Sequence, residues 1–315
     1  MNKIIKRGDI NAGFKAADVV LEGTFKMGGQ QHFYLEPQSC VCVPGEKQEM
    51  NVYVSSQSNK LIQDWIATTL AIPSNRIICR QKRVGGAFGG KEIQCAYAAI
   101  PAALAAYKTG KPVRLIHTRE EDLSITGGRH PLLANYKVGC DADGKILSLK
   151  CKIYLNAGHA KELSVAVLCN AFFATDGCFR LPNLHLEGIC CKTNLPSNTA
   201  FRGFGQPQGQ MLINWIVSAI AERLQLPYLQ VVQSNLYREG DISAFNSLIE
   251  SDGLHRCVEE CRQMSSYEER LAAVHEFNRE HHTRKQGIAL QPCIFGLPFF
   301  VKVLNQVSDV KRTML

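Results

Sequence analysis

Short runs of alternating apolar and polar residues dominate the first part of the chain, and longer helical patterns follow. Residues 1–48 read as short strands and turns, punctuated by Gly28-Gly29 and Pro44-Gly45. In residues 49–56, Val52 and Val54 alternate with more polar neighbours, which predicts a strand. Ser58 is placed to cap a helix reaching about Leu70, with Leu61, Ile62, Trp65, Ile66 and Leu70 on one face. Pro73 and Ser74 end it. Residues 76–84 read as a second strand, a glycine-rich turn follows, and the alanine-rich residues 92–107 read as a helix despite Pro101. Strands are predicted over 113–118, 146–154 and 184–192. A helix over 208–224 carries apolar residues almost all round and is expected to be buried, and further helices are predicted over 229–238, 254–264 and 267–279. Residues 279–286 are polar and read as a linker, and an apolar strand is predicted over 287–290. No internal repeat is visible. The alternation of elements predicts an α/β or α+β arrangement.

Composition narrows the picture. With 315 residues, 45% hydrophobic and 20% charged, the chain can build a packed core as one large domain or one domain plus a fragment. The net charge of +8 is spread over short clusters with no run of five basic residues. Nucleic-acid binding therefore gains little support, while an anionic cofactor would suit a mildly basic surface. The 13 cysteines are odd in number and contain no CxxC pair, and no apolar leader follows Met1. Reduced thiols in the cytoplasm, many buried as small hydrophobes, fit this best. A zinc site from Cys190, Cys191 and a distant histidine has the wrong spacing. No apolar stretch is long enough to span a membrane.

Two glycine-punctuated segments carry the candidate chemistry. Gly85-Gly86-Ala87-Phe88-Gly89-Gly90-Lys91-Glu92 has four glycines in six residues, so its backbone can take positive φ and approach a ligand closely. Read as standing between a strand and a helix start, it could offer N–H groups and a helix dipole to an anion. Gly85 and Gly90-Lys91 nearly match a phosphate-binding P-loop, but Glu92 stands where Ser or Thr is needed. A tight structural turn is the competing reading. The second segment, residues 194–208, opens the long helix and sets Arg202 between Phe201 and Phe204. An arginine there suits an oxygen-rich ligand and the phenylalanines a flat aromatic one, unless the rings simply plug the core.

Five motifs occur in order: residues 28–36 (GGQQHFYLE), the Phe88 turn, residues 125–131 (ITGGRHP), Asn156-Ala157-Gly158 and residues 194–208. On these the chain resembles the molybdenum domain of the aldehyde oxidases and xanthine dehydrogenases over residues 3–300. The resemblance implies an α+β fold of mixed sheets packed with helices, divided into a first molybdopterin-binding domain (1–278), the linker, a truncated start of a second such domain (287–306) and a divergent tail (307–315). It implies a molybdenum-molybdopterin cofactor and hydroxylation of aldehydes and N-heterocycles with water as the oxygen source. Gln57 would hydrogen-bond an oxo group on the metal, the backbone at Phe88 and Gly89 would approach the same ligand sphere, and Arg202 would bind near the metal through the cofactor. These roles put Gln57, Phe88 and Arg202 close to molybdenum without binding it directly. Glu92 and Asn170 fall at substrate positions and Phe204 would stack on the substrate ring. Asn170 stands where xanthine dehydrogenases carry an arginine, which places the chain nearer the aldehyde oxidases, although Glu92 is shared with the xanthine branch.

The resemblance also implies what this chain lacks. The general-base glutamate, the second substrate phenylalanine, and the 2Fe-2S and FAD domains lie outside it, so the chain alone is expected to be inactive. Intact family members are homodimers. A non-catalytic form that binds cofactor or an intact subunit is the alternative.

Overall fold

The computed structural model describes residues 2–295, and it divides its strands between two sheets. The larger sheet has the order β1-β9-β8-β7-β2, built from β1 (Asn2–Arg7), β2 (Val19–Met27), β7 (Leu132–Cys140), β8 (Ile146–Gly158) and β9 (Leu184–Lys192). The pairs are antiparallel except β8–β9. Alternate residues of its strands point inward, among them Ala134, Val138, Leu149, Ile153 and Leu186, all fully buried. Helices α5 (Ser164–Phe173) and α6 (Gln206–Leu224) pack on this sheet and on each other, and α1 (Ile10–Ala16) crosses β7 and β8. Truncating one of these inward Leu or Ile residues to Ala costs roughly 2–5 kcal/mol.

The smaller sheet has the order β5-β4-β3-β6, from β3 (Ser39–Pro44), β4 (Met50–Val54), β5 (Ile77–Arg80) and β6 (Val113–Ile116). Helices α2 (Asn59–Leu70) and α3 (Ala96–Thr109) cover it. Ala98, Ala99, Ala102, Ala103 and Ala106 make one fully buried face of α3, and such small side chains let the helix lie close to β3. Pro101 falls on the exposed side, where its missing N–H is least disruptive. The remaining helices are α4 (Arg119–Ile125), α7 (Tyr228–Asn235), α8 (Gly253–Met264) and α9 (Tyr267–Glu280).

Several expectations need correction. The helix expected from residue 92 starts only at Ala96, because the carbonyl of Lys91 accepts the N–H of Gln57 (2.7 Å) and is not free to begin a helical ladder. The turn and α3 are thus separated, and the turn does not run straight into the start of that helix. The strand over 76–84 stops at Arg80, where its parallel partner β4 runs out. Ser58 is at the N-cap of α2 but its hydroxyl makes no capping bond, and Leu61 is turned outward at 39% exposure. Helix α6 is buried on one side only, since Met211 and Trp215 remain about half exposed at 49% and 51%. Residues 287–290 are not a strand; Ile288 and Leu290 pack on the large core with no sheet partner. Helices α1, α4 and α5 and strand β7 were not expected. Most of the segment 287–306, and all of 307–315, lie outside the described residues.

Candidate functional site

The glycine turn is held from behind by charge. The Glu36 backbone N–H donates to the Gly85 carbonyl (3.1 Å), and the Glu36 carboxylate accepts from Gly85 N (2.7 Å) and from the Ser55 hydroxyl (2.8 Å). At the other end of the turn Lys91 is fully buried, its ammonium donating to the Glu36 carbonyl (2.7 Å) and Ser55 Oγ (2.8 Å) and lying 3.3 Å from the Glu36 carboxylate. Burial pulls the Lys91 ammonium below its ordinary pKa, with Glu36 opposing that shift. Burial alone would raise the Glu36 carboxyl, but its hydrogen bonds from Gly85 and Ser55 and the Lys91 charge outweigh it and hold it low. With its ammonium committed in this way, Lys91 cannot act as a P-loop lysine, and the nucleotide reading of the turn fails.

The front of the turn is set by Gln57, whose Oε1 accepts from the N–H groups of Gly89 (3.0 Å) and Lys91 (3.2 Å). Because Oε1 is tied twice, the amide nitrogen of Gln57 is left as a donor with no partner among the described residues. Phe88 takes a positive φ of 55° and leaves its ring 49% exposed, a sparsely populated backbone state for an aromatic residue.

The loop after residue 198 is held by backbone and ring contacts. His32 lies stacked on Phe201 with ring centroids 4.6 Å apart, and its Nε2 is 2.7 Å from the Ala200 carbonyl. Burial keeps His32 below the usual histidine pKa, so it is neutral and donates from Nε2. The Arg129 guanidinium sits over the Phe201 ring at 4.2 Å and donates to the Arg202 carbonyl at 2.8 Å. Asn198 receives Gly128 N–H at its side-chain oxygen (3.1 Å) and donates to the Asn156 carbonyl (3.0 Å). The motifs around residues 30, 90, 128, 156 and 200 therefore converge in space.

The two segments meet directly. Arg202 N–H donates to the Phe88 carbonyl at 3.0 Å, and a Cβ on Gly89 would stand 2.4 Å from the Ala200 carbonyl. Gly89, at φ 101°, is thus the residue that lets the loops touch. The Arg202 side chain is exposed and has no ion pair or hydrogen bond among the described residues. A free guanidinium and a free amide donor beside a strained turn fit an anionic, oxygen-rich group. Fully buried Gln208, in the first turn of α6, has neither amide atom partnered among the described residues, a second polar group that such a ligand could satisfy.

Of the sequence-derived residues, Gln57, Phe88, Gly89 and Arg202 form one hydrogen-bonded chain. Asn170 and Phe204 form a second pair, the Asn170 amide donating to the Phe204 carbonyl at 2.8 Å. Phe204, at φ 45°, is tied back to the loop through its N–H and the Phe201 carbonyl (2.7 Å). Glu92 is half-buried and burial raises its pKa; it also raises that of Glu162, which accepts from Gln94 Nε2 at 3.1 Å. Roles for Glu36, His32, Arg129 and Glu162 were not anticipated. Their partners lie tens of residues away, and only the density of polar residues in the GGQQHFYLE and TGGRHP motifs hinted at them.

A family model described as a molybdopterin cofactor-binding domain matches residues 1–236. The chain is 46% identical over 307 residues to xanthine dehydrogenase/oxidase of Gallus gallus, covering 97% of this chain and 23% of that protein. It is 45% identical over 296 residues to aldehyde oxidase 3 of Mus musculus, covering 94% of this chain and 22% of that protein. Overall identity therefore does not separate the two branches, and the chain spans under a quarter of the length of these relatives. Among solved structures, the aldehyde oxidoreductase of Desulfovibrio gigas superimposes with a TM-score of 0.79 at 25% identity, over 90% of this chain and 30% of that one. Quinoline 2-oxidoreductase of Pseudomonas putida shares the fold, with a TM-score of 0.77 at 20% identity over 89% of this chain and 36% of that one. The family model matching most of its length, the chain belongs to the molybdopterin cofactor-binding domain family of the molybdenum hydroxylases.

Proposed function

We propose that residues 1–278 form the first molybdopterin-binding domain of a molybdenum-dependent oxidoreductase acting on aldehydes and N-heterocycles. Residues 279–286 would be the linker to a second such domain. When bound, the molybdenum-pterin group supplies the redox and oxygen-transfer chemistry. The free amide of Gln57 donates to an oxygen of that group, and the Arg202 guanidinium pairs with its anionic portion. The Phe88–Gly89 backbone approaches it closely, and Phe204 flanks the substrate ring. Asn170 spends its amide on the Phe204 carbonyl and brings no cation, which favours neutral aldehydes and heterocycles over purine anions. On the resemblance Glu92 contacts substrate, and burial raises its pKa above that of an exposed carboxylate.

The single observation that carries this reading is the 3.0 Å hydrogen bond from the Arg202 backbone N–H to the Phe88 carbonyl, which brings the two loops into contact. Exposed Phe33 (66%) and Leu35 (90%) near the same turn support further protein surface closing the site. On the resemblance, the general base lies on that further surface, so the chain alone should bind cofactor without turnover. The test is to incubate the purified chain with molybdenum cofactor and measure metal retained after gel filtration. Retention is expected, and Arg202→Met should weaken it about tenfold, as loss of a charge-assisted contact does. Equal retention by the variant, or aldehyde turnover by the isolated chain at the rate of an intact relative, would overturn the proposal.

A further inference from the structure

Away from these loops, α8, the start of α9 and residues 288–293 line an open cavity of about 500 Å³. Its walls include the apolar side chains of Leu254, Val258, Tyr267, Ile288 and Leu290. Cys257, Cys261 and Cys293 also line it, and these three cysteines are exposed while the other ten are buried or half-buried. Burial pushes the thiol of Cys151 up to about 12 and that of Cys140 to about 11. The accessible thiols of the described chain are therefore gathered around one apolar space.

Geometry narrows what they can do. Cys257 and Cys261 are four residues apart on α8, which sets their Cβ atoms about 5–6 Å apart. A disulfide needs about 3.5–4.5 Å, so an undistorted helix leaves this pair reduced. No group of three or more His, Cys, Asp or Glu side chains among the described residues is arranged to hold a metal ion. Addition of a single thiol to an electrophile remains, and the apolar walls select one with a hydrocarbon body. Arg270 lines the same cavity and supplies a cation for an oxygen that gains charge.

We propose that this cavity is a covalent capture site for apolar α,β-unsaturated carbonyl compounds, taken up by Cys257, Cys261 or Cys293. The sulfur forms a bond to the β-carbon and the carbon–carbon π pair moves toward the carbonyl, whose oxygen is stabilised by Arg270. The thiol proton ends on the α-carbon. Nothing is oxidised or reduced and no co-reactant is consumed. The site does not depend on the proposed cofactor function.

The test uses the full chain with trans-2-nonenal and with crotonaldehyde, which carry the same reactive group on a long and a short tail. Rates are followed by thiol loss and adducts located by peptide mass spectrometry, with glutathione as the reference thiol. The nonenal-to-crotonaldehyde rate ratio is expected to exceed that of glutathione about tenfold, as burial of an alkyl tail requires. Adducts should fall on the three cavity cysteines. Ala289→Trp fills the cavity from an exposed wall position and should return the ratio to the glutathione value with crotonaldehyde unaffected. Arg270→Gln should slow both reagents. The triple variant C257S/C261S/C293S should abolish the fast phase, which keeps the test decisive if Ala289→Trp is unstable. A ratio equal to that of glutathione, adducts chiefly on Cys190 or Cys191, or an undiminished fast phase in the triple variant would overturn the proposal.

Discussion

The glycine turn at residues 85–91 and the loop at residues 199–204 touch through one hydrogen bond, yet they are held in opposite ways. The turn hangs on side-chain charge: Glu36 grips its start and a buried Lys91 its end. The loop hangs on backbone bonds and stacked rings, with His32 and Arg129 packed on Phe201. The difference separates two kinds of sensitivity. An ion pair with one partner buried is costly to break, because the charge left behind has no water to replace its partner. A cation over a ring degrades gradually, because the ring contact is partly dispersive and survives imperfect geometry.

The largest expected effect tests the first kind. Glu36→Ala strands a fully buried ammonium and should cost about 3 kcal/mol, near the lower end for such pairs because the carboxylate itself is partly exposed. Urea unfolding measures it, and a loss under about 1 kcal/mol would show that the pair does not hold the turn.

Acid should act on the loop side through His130, which follows Arg129. This histidine is fully buried with its Nε2 2.8 Å from Ser164 Oγ; burial, and then the Arg129 charge, pushes its pKa down to about 4. The unfolded chain takes up that proton below about pH 6.5 and the folded chain does not until about pH 4. Stability should therefore fall as pH drops through this window, by up to about 3 kcal/mol. Asp176, buried in the large core with Tyr237 donating at 3.0 Å, has the opposite sign, since burial raises its pKa to about 7. Its contribution is present at low pH and lost as pH rises from about 4 toward 7. Stability–pH curves of His130→Asn and Asp176→Asn, each subtracted from the parent, should slope in opposite directions. Parallel difference curves would refute the assignment of charge states.

The smallest effect sharpens the contrast with Glu36. Arg129→Lys keeps the charge but loses the planar contact with Phe201 and the fixed fork toward Arg202, and should cost about 1 kcal/mol. A loss as large as that of Glu36→Ala would mean that the two loops are held by the same kind of force after all.

Local patterning made much of the framework readable. Strand β9 falls on residues 184–192 as expected, and α2, α8 and α9 lie within a residue or two of their predicted spans. Helix α5 was hidden because Ser164–Phe173 is a short, almost wholly apolar run that periodicity cannot assign to helix or strand. Its packing is set by α6, where a Cβ on Gly209 would come within 2.2 Å of the Ala171 carbonyl. The delayed start of α3 was equally invisible, since it depends on Gln57 reaching across from the end of β4.

The sequence by itself determined an α/β or α+β alternation and the two glycine-punctuated segments, and the family resemblance of its motifs added Gln57, Phe88, Gly89 and Arg202 as a candidate set. Each of those signals is local, carried by side-chain period, glycine freedom or a short motif. Only the tertiary structure decided that Lys91 is spent on Glu36, that Asn170 holds Phe204, and that Arg202 and Phe88 share a hydrogen bond. Those facts pair residues 55, 34 and 114 positions apart, and no local preference of the chain encodes a contact between groups that folding alone brings within 3 Å.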